Sequence, residues 1–441
     1  MKLLTTHHSP TIAFHTLGCK VNQHDSAIMA ALFQEAGYDI VDFHEAADVY
    51  VINTCTVTHL SDRKSRQMIR RAAHENPEAT VVVCGCYAQT AAKELSGLEE
   101  VDLIIGTNER HRIVEAVEEF RNNHVRKTYL PTEDELFYYE DLPHDRVSGM
   151  TRAYVKVQEG CDQFCAYCII PYARGPLRSR SEEDTVAEIN ALVAKGYKEV
   201  ILTGIHLGAY GRGVKDETCD LTGLCKRILE ETEIERLRLG SLEGIEVTDE
   251  LIEMIADNPR MAKHLHLPLQ SGCDRTLAMM RRPYDTTEFR DTMRAIRKRV
   301  PDIAITTDVM VGFPDETEED FKESLVFCND IAFSAMHIFK YSMRGGTPAA
   351  AMENQVDPQV KEHRAKQMAE VAQKNKQEYE SRFIGQTLRI LVEEPTADGA
   401  WTGHSSNYLY VTFTGEGIQS GDFVDVKLTE LTKNRLHGVL V

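Results

Sequence analysis

Three cysteines fall within one short run, EGCDQFCAYCIIPYARG (159–175): Cys161, Cys165 and Cys168. A closed structural metal site takes four protein ligands. Three thiols at Cys-x3-Cys-x2-Cys spacing leave one coordination position for something else. Soft thiolates select iron–sulfur clusters or zinc. A cubane cluster held by three cysteines keeps one iron open, and an open position marks a catalytic metal rather than a structural one. The competing reading is a zinc knuckle whose fourth ligand lies elsewhere in the chain.

A second set of three is scattered. Cys19 lies in HTLGCKVNQ, Cys55 in VINTCTV and Cys86 in VVCGCYAQ. Each follows a strand-like run. In a parallel sheet the carboxyl ends of the strands share one edge, where ligands bind, so topology alone brings the three together. A second cluster with an open position is the economical reading. Cys84 sits within its strand and reads as core. Cys219, Cys225, Cys273 and Cys328 are isolated and read as small apolar residues.

The elements that must position these residues read as an α/β protein in three parts. Strand patterns at 11–17, 48–54, 79–85 and 101–107 alternate with helical ones, including 23–36 and a basic helix ending near 73. Short apolar runs separated by helices predict a parallel sheet, giving an N-terminal α/β domain over 1–125. Residues 126–146 are polar and read as a linker. Six strands near 153–158, 199–204, 236–241, 264–269, 303–308 and 335–340 predict a partial β/α barrel over 147–378, smaller than an eight-unit barrel. The cysteine run directly follows the first of these strands. That places it at the carboxyl-terminal mouth, where such folds keep their chemistry. After a long polar helix at 358–383, residues 379–441 turn to short alternating segments between Gly, Asn and Asp turns, the pattern of a small antiparallel β-barrel.

Bulk properties narrow the class. The chain has 441 residues, 42% hydrophobic and 27% charged, enough for more than one core. Eleven cysteines, partly clustered, point to metal or catalysis rather than to disulfides. There is no apolar run of membrane-spanning length, and MKLLTTHHSP has no secretory character, so a cytoplasmic protein without membrane association is expected. The formal charge of −19 argues against a general polyanion binder but leaves room for local basic faces, such as RKSRQMIRR (63–71) and YARGPLRSR (172–180).

Cys-x3-Cys-x2-Cys with Tyr167 before its last cysteine resembles the signature of the radical S-adenosylmethionine (SAM) enzymes. The resemblance implies a [4Fe-4S] cluster whose open iron binds the amino and carboxylate groups of SAM, with one electron splitting the sulfonium. Joined to the scattered trio and to a tail similar to the TRAM domain, an RNA-binding barrel, the whole chain resembles the methylthiotransferases. That family implies a second [4Fe-4S] cluster and insertion of a sulfur and a methyl group into an unactivated C–H bond. Carbon 2 of adenine has no acidic hydrogen, so acid–base catalysis has little purchase there. The two clusters are expected to face each other across the substrate. Implied partners are a tRNA, an electron donor of flavodoxin or ferredoxin type and a sulfur source, and nothing requires an oligomer. The segments GCKVN, GCYAQ and LGAYG resemble the branch acting on threonylcarbamoyladenosine in tRNA. The branches acting on isopentenyladenosine in tRNA or on a ribosomal-protein aspartate are alternatives. A non-catalytic metal- and RNA-binding protein is the alternative from another class.

The family's cofactor contacts carry over to Thr203 and Gly204 in LTGIHLG, to Ser241 and Glu243 in RLGSLEG, and to Phe164 and Tyr167 in the cysteine loop. Arg174, with Arg178 and Arg180, suits SAM or tRNA phosphates, which position a nucleic acid without specifying it. Gly240, Gly244 and Asp315 depart from the family's usual serine, proline and glycine. The tail holds six Lys and Arg against nine Asp and Glu over 376–441, too few cations for a backbone clamp. Trp401, Asn407, Tyr408 and Tyr410 either contact loop bases or fill the small barrel.

Overall fold

The computed structural model describes residues 9–132, 135–142, 151–212, 219–433 and 435–441. The chain divides into two compact units. The first takes residues 1–148, 159–163 and 168–178, and the second takes 149–158, 164–167 and 179–441.

The first unit is built on a six-stranded sheet. Its order is Asp39–Val41, Thr11–Thr16, Val49–Thr54, Thr80–Gly85, Leu103–Ile105 and Lys127–Tyr129, and every ladder is parallel. Both faces are covered. Ile12, Val51 and Leu103 pack with Met29 and Phe33 on one side, and Ala13, Tyr50, Ile52 and Val81 pack with Ile69 on the other. The central strands are therefore buried along their whole length, which is why they read as unbroken apolar runs. Two strands went unanticipated. Asp39–Val41 is a three-residue edge, and Lys127–Tyr129 lies inside the tract 126–146 read as a linker, adding a sixth strand beside Leu103–Ile105. Positions 133–134 and 143–146 of that tract lie outside the described residues.

The second unit carries all six expected barrel strands: Ala153–Glu159, Glu199–Gly204, Arg236–Leu239, His264–His266, Ala304–Val311 and Ala335–Lys340. The first three pair in parallel, as do the last three. Single bridges, Leu237 to Met261 and Ser241 to His266, join the two groups. Intervening helices are started by side chains that accept from first-turn amides. Ser181 and Thr248 do so alone, while Asp285 with Glu288 and Thr317 with Asp320 form reciprocal capping boxes.

The tail closes into a five-stranded barrel, ordered Thr387–Pro395, Trp401–Ser405, Tyr410–Thr414, Arg435–Leu440 and Phe423–Thr432. Four ladders are antiparallel, and the one between Tyr410–Thr414 and Arg435–Leu440 is parallel. This small barrel docks on the β/α barrel through a buried ionic cluster. Glu199 accepts from Arg236 at 3.0 Å and from Arg238 at 2.7 Å. Arg236 also donates to the carbonyls of His404 and Arg389, and Arg238 to those of Ser405 and Ser406. Their guanidiniums lie over Phe423 and Tyr408, and His264 stacks on Tyr408 at 4.3 Å. Glu199 and Arg236 each open their strand, so the tail seals the end opposite the mouth. Asn407 and Tyr408 belong to this seam: buried Asn407 donates to Tyr379 Oη, and Tyr408 is held between His264 and Arg238. Trp401 packs against the tail's core, and Tyr410 remains 46% exposed.

Candidate active site and metal centres

In the first unit, the strand ends deliver the scattered thiols to one edge. Cys19 caps the helix Lys20–Glu35, Cys55 follows Val49–Thr54, and Cys86 opens the helix Cys86–Thr90. They are close enough that charge on Cys19 or Cys55 raises the Cys86 thiol. Gly18 makes the approach possible: at φ +108°, a Cβ there would lie 2.8 Å from Cys55 Cβ and 3.1 Å from its sulfur.

Buried polar groups frame this trio. Arg174, fully buried, donates from Nε to Cys86 Sγ at 3.2 Å, from Nη1 to Asp25 and Glu159, and from Nη2 to Asn22 Oδ1. Arg110 also reaches Asp25, at 3.2 Å, and pairs with Glu140 at 2.9 Å. Asn22 Nδ2 bonds the carbonyls of Leu17 and Thr54, tying the loops that carry Cys19 and Cys55. Burial pushes the Cys86 thiol up to about 11, with Arg174 opposing, and burial likewise raises Cys55. Cys19 is exposed, but thiolates as dry as those of Cys55 and Cys86 require cationic company. Arg174 supplies one positive charge, and the donor set fits iron for the rest.

Within the first unit, the start of the Cys161 loop is pinned by a bond from Cys161 N to Gly175 O at 3.1 Å. Gly160, at φ +76°, lies so close to the Pro176 carbonyl that any Cβ would collide with it.

In the second unit, residues 164–167 are held by Ala166, which donates to Met280 O at 2.9 Å and accepts from Ala349 N at 2.8 Å. Tyr167 packs on the small core of Ala166, Met280, Phe313, Tyr341 and Ala349, and Phe164 is half exposed in the left-handed region, at φ 45°. Arg282 Nη1 donates to Cys165 Sγ at 3.2 Å. The same guanidinium pairs with Glu243 and lies over the Tyr284 ring. Burial raises the Glu243 carboxyl, with Arg282 opposing. Thr203 and Gly204 end one parallel strand, and Ser241 and Glu243 follow its neighbour, in register through Leu202 and Leu239. Beside them, Gln158 Oε1 accepts from His206 N at 2.6 Å, and His206 Nε2 lies 2.8 Å from Glu246.

Comparison with known proteins finds three family matches along the chain. Residues 11–106 match the uncharacterized protein family UPF0004, 155–328 the radical SAM superfamily and 381–441 the TRAM domain. The chain is 42% identical to the threonylcarbamoyladenosine tRNA methylthiotransferase MtaB of Bacillus subtilis (strain 168), over 95% of this chain and 93% of that one. Identity to the MtaB of Aquifex aeolicus (strain VF5) is 41%, over 87% and 93%. The chain belongs to the tRNA methylthiotransferase family. More distant relatives include a tRNA-2-methylthio-N(6)-dimethylallyladenosine synthase of Clostridium perfringens (strain SM101 / Type A), 33% identical over 97% and 96%. Among solved structures, the radical SAM methyltransferase TsrM of Kitasatospora setae, with cobalamin and a [4Fe-4S] cluster bound, matches with a TM-score of 0.57 at 15% identity, covering 78% and 77%; it shares the fold.

The residues expected at the sites of this methylthiotransferase fall into separate groups. Cys19, Cys55 and Cys86 converge in the first unit. Thr203, Gly204, Ser241 and Glu243 line adjacent strand ends in the second. Arg174, expected at SAM or phosphate, has every side-chain nitrogen engaged beside Cys86. Arg178 donates to three backbone carbonyls, those of Leu136, Arg174 and Pro176, and Arg180 pairs with Glu188. Several arginines of the helix tract 63–71 are engaged as well: Arg66 with Glu94 and Arg71 with Glu75. Cys84, Cys225, Cys273 and Cys328 are buried, and Cys219 is partly exposed. Sequence reasoning missed Asn22, Asp25, Arg110 and Arg282. For Arg282, in MMRRPYD, only a charge ahead of a proline was visible.

Proposed function

We propose that this methylthiotransferase installs a methylthio group on carbon 2 of N6-threonylcarbamoyladenosine next to the anticodon of tRNA, yielding 2-methylthio-N6-threonylcarbamoyladenosine. The carrying observation is identity of 41–42% to enzymes named for that nucleoside, against 33% to a dimethylallyladenosine synthase. Cys161, Cys165 and Cys168 hold one [4Fe-4S] cluster, and Cys19, Cys55 and Cys86 hold the second. Bound with SAM, they supply one-electron chemistry that opens an unreactive C–H bond, work the protein's own acids and bases cannot do.

The chain's residues orient and shield these centres. Arg282 holds Cys165 through a charge-assisted bond and is itself fixed by Glu243 and Tyr284. Thr203, Gly204, Ser241 and Glu243, with Phe164 and Tyr167, are assigned to SAM. Arg174 is assigned to the second centre instead, where it balances buried thiolates, because none of its nitrogens is left for SAM. The substrate tRNA, an electron donor of flavodoxin or ferredoxin type and a sulfur source are its partners, in the cytoplasm. Among the described residues, no helix is long and apolar enough to cross a membrane.

The test is nucleoside mass spectrometry of bulk tRNA from cells with and without the gene. Loss of 2-methylthio-threonylcarbamoyladenosine with accumulation of its unthiolated precursor supports the assignment. Loss of the dimethylallyl counterpart would move the substrate to the other branch. No change in either would remove tRNA adenosine as the substrate.

A further inference from the structure

The lumen of the second unit carries a polar strip that the chemistry above does not use. Strand register places its members on one face: His266 is paired with Thr306, Asp308 with His337, and Met310 with Phe339. Thr306 Oγ1 lies 2.9 Å from His266 Nδ1 and 3.1 Å from His264 Nε2. His266 Nε2 then lies 3.3 Å from Asp308 Oδ2, and the His337 ring is 5.8 Å from that of His266.

The strip's position matters. Its lower end is His264, stacked on Tyr408 where the tail seals the barrel. Its upper end is Met310, which packs on the same small core as Tyr167. Laterally it reaches Ser241 through the bridge to His266. It therefore lies between the sealed end and the mouth, beside the strand ends assigned to SAM. His337 is exposed, and Phe339 on the same face is 45% exposed.

We infer that His266, Asp308 and His337 form the subsite that recognises the threonylcarbamoyl arm of the substrate, with Phe339 as the stacking surface for its adenine. This rests on the proposed substrate. That arm has urea N–H groups and a hydroxyl that donate, and a carboxylate that only accepts. Asp308 accepts and the His337 imidazole donates, while His266, held by Thr306 and Asp308, fixes the carboxylate in place. An exposed aromatic ring at the next same-face position suits an unstacked base. A dimethylallyl arm offers these polar groups no hydrogen bond in exchange for the water it displaces, a basis for rejection.

The test uses reconstituted holoenzyme with SAM, a reductant and two anticodon stem-loops. One carries threonylcarbamoyladenosine, the other its neutral carboxamide analogue. Wild type is expected to favour the acid over the amide by about ten- to hundredfold in kcat/KM. His337→Leu is expected to abolish that preference, and His337→Asn, which keeps a donor, to retain part of it. An unchanged acid-to-amide ratio in His337→Leu overturns the subsite. So does an extra zinc per chain, beyond cluster iron, that His337→Leu loses, because the same nitrogens would then hold a metal. Wild type that turns over dimethylallyladenosine but not threonylcarbamoyladenosine overturns the substrate assignment and the subsite together. Turnover of threonylcarbamoyladenosine with no acid preference overturns the subsite alone.

Discussion

Arg174 Nε donates to the Cys86 thiol at 3.2 Å, while the same guanidinium neutralises Asp25 and Glu159. One side chain thus couples a candidate cluster ligand to a buried carboxylate pair. Removing it as Arg174→Met should leave those carboxylates short of a counter-charge, at a cost of about 3–5 kcal/mol. Denaturant unfolding should show that loss. Iron should fall from about eight to about four per chain, because only the second centre depends on Arg174. Full iron content in a folded variant would remove Arg174 from that centre.

Arg282 plays the matching part in the other unit, with Cys165 and Glu243 as its partners. A cation beside a cluster ligand favours the reduced state, since hydrogen bonds to the sulfurs set the potential. Arg282→Met is expected to shift the potential of that centre to more negative values. Reductive SAM cleavage should slow about 10–100-fold, the usual cost of losing such an outer partner. Redox titration by electron paramagnetic resonance checks the shift.

Gly18→Ala should act locally. The added methyl meets Cys55 and must adopt a backbone conformation that costs about 1–3 kcal/mol. The expected variant is folded by circular dichroism, with half the iron missing and the Cys161–Cys165–Cys168 centre intact. Undiminished iron would show that this turn tolerates a side chain.

Acid should loosen the tail's docking. Burial would raise the Glu199 carboxyl, but Arg238 and Arg236 together hold it below its ordinary 4.5. A depressed carboxyl contributes stability that is complete above the unfolded value and is lost as pH falls through the folded one. His404 is lowered below 6.5 by burial, with Glu393 opposing, so charging it also costs stability as pH falls below 6.5. Both act in one direction. The thermal midpoint should drop as pH falls from 6.5 to below 4.5, and Glu199→Gln should lower it at neutral pH and flatten the acid limb. A steeper acid limb in that variant would contradict the assignment.

Local patterning made much of this protein legible. All six barrel strands and all four anticipated strands of the first sheet stand where period and apolar runs placed them; the central strands of that sheet, covered on both faces, are mostly apolar. Cys161, Cys165 and Cys168 stand out in the sequence as candidate ligands because their spacing is short. Cys19, Cys55 and Cys86 could be brought to one edge by topology alone, since each closely follows a strand. The strand Lys127–Tyr129 was hidden, being three residues long and without an apolar run, and it is held by pairing with Leu103–Ile105 and by contacts of Lys127 and Tyr129 with Glu119.

Tertiary structure alone decided the charges. Arg174 reads in sequence as one of three arginines after a cysteine loop. Its partners Asn22 and Asp25 lie about 150 residues away, at separations where no local pattern survives. Tyr408 likewise reads in sequence as either a base-contacting aromatic or a filler of the small barrel, and the fold holds it between His264 and Arg238. The sequence by itself determined the elements and which thiols meet at their ends. Which buried charges face those thiols, and which aromatics remain exposed, follows from desolvation and pairing across distant segments, and only the folded chain sets those.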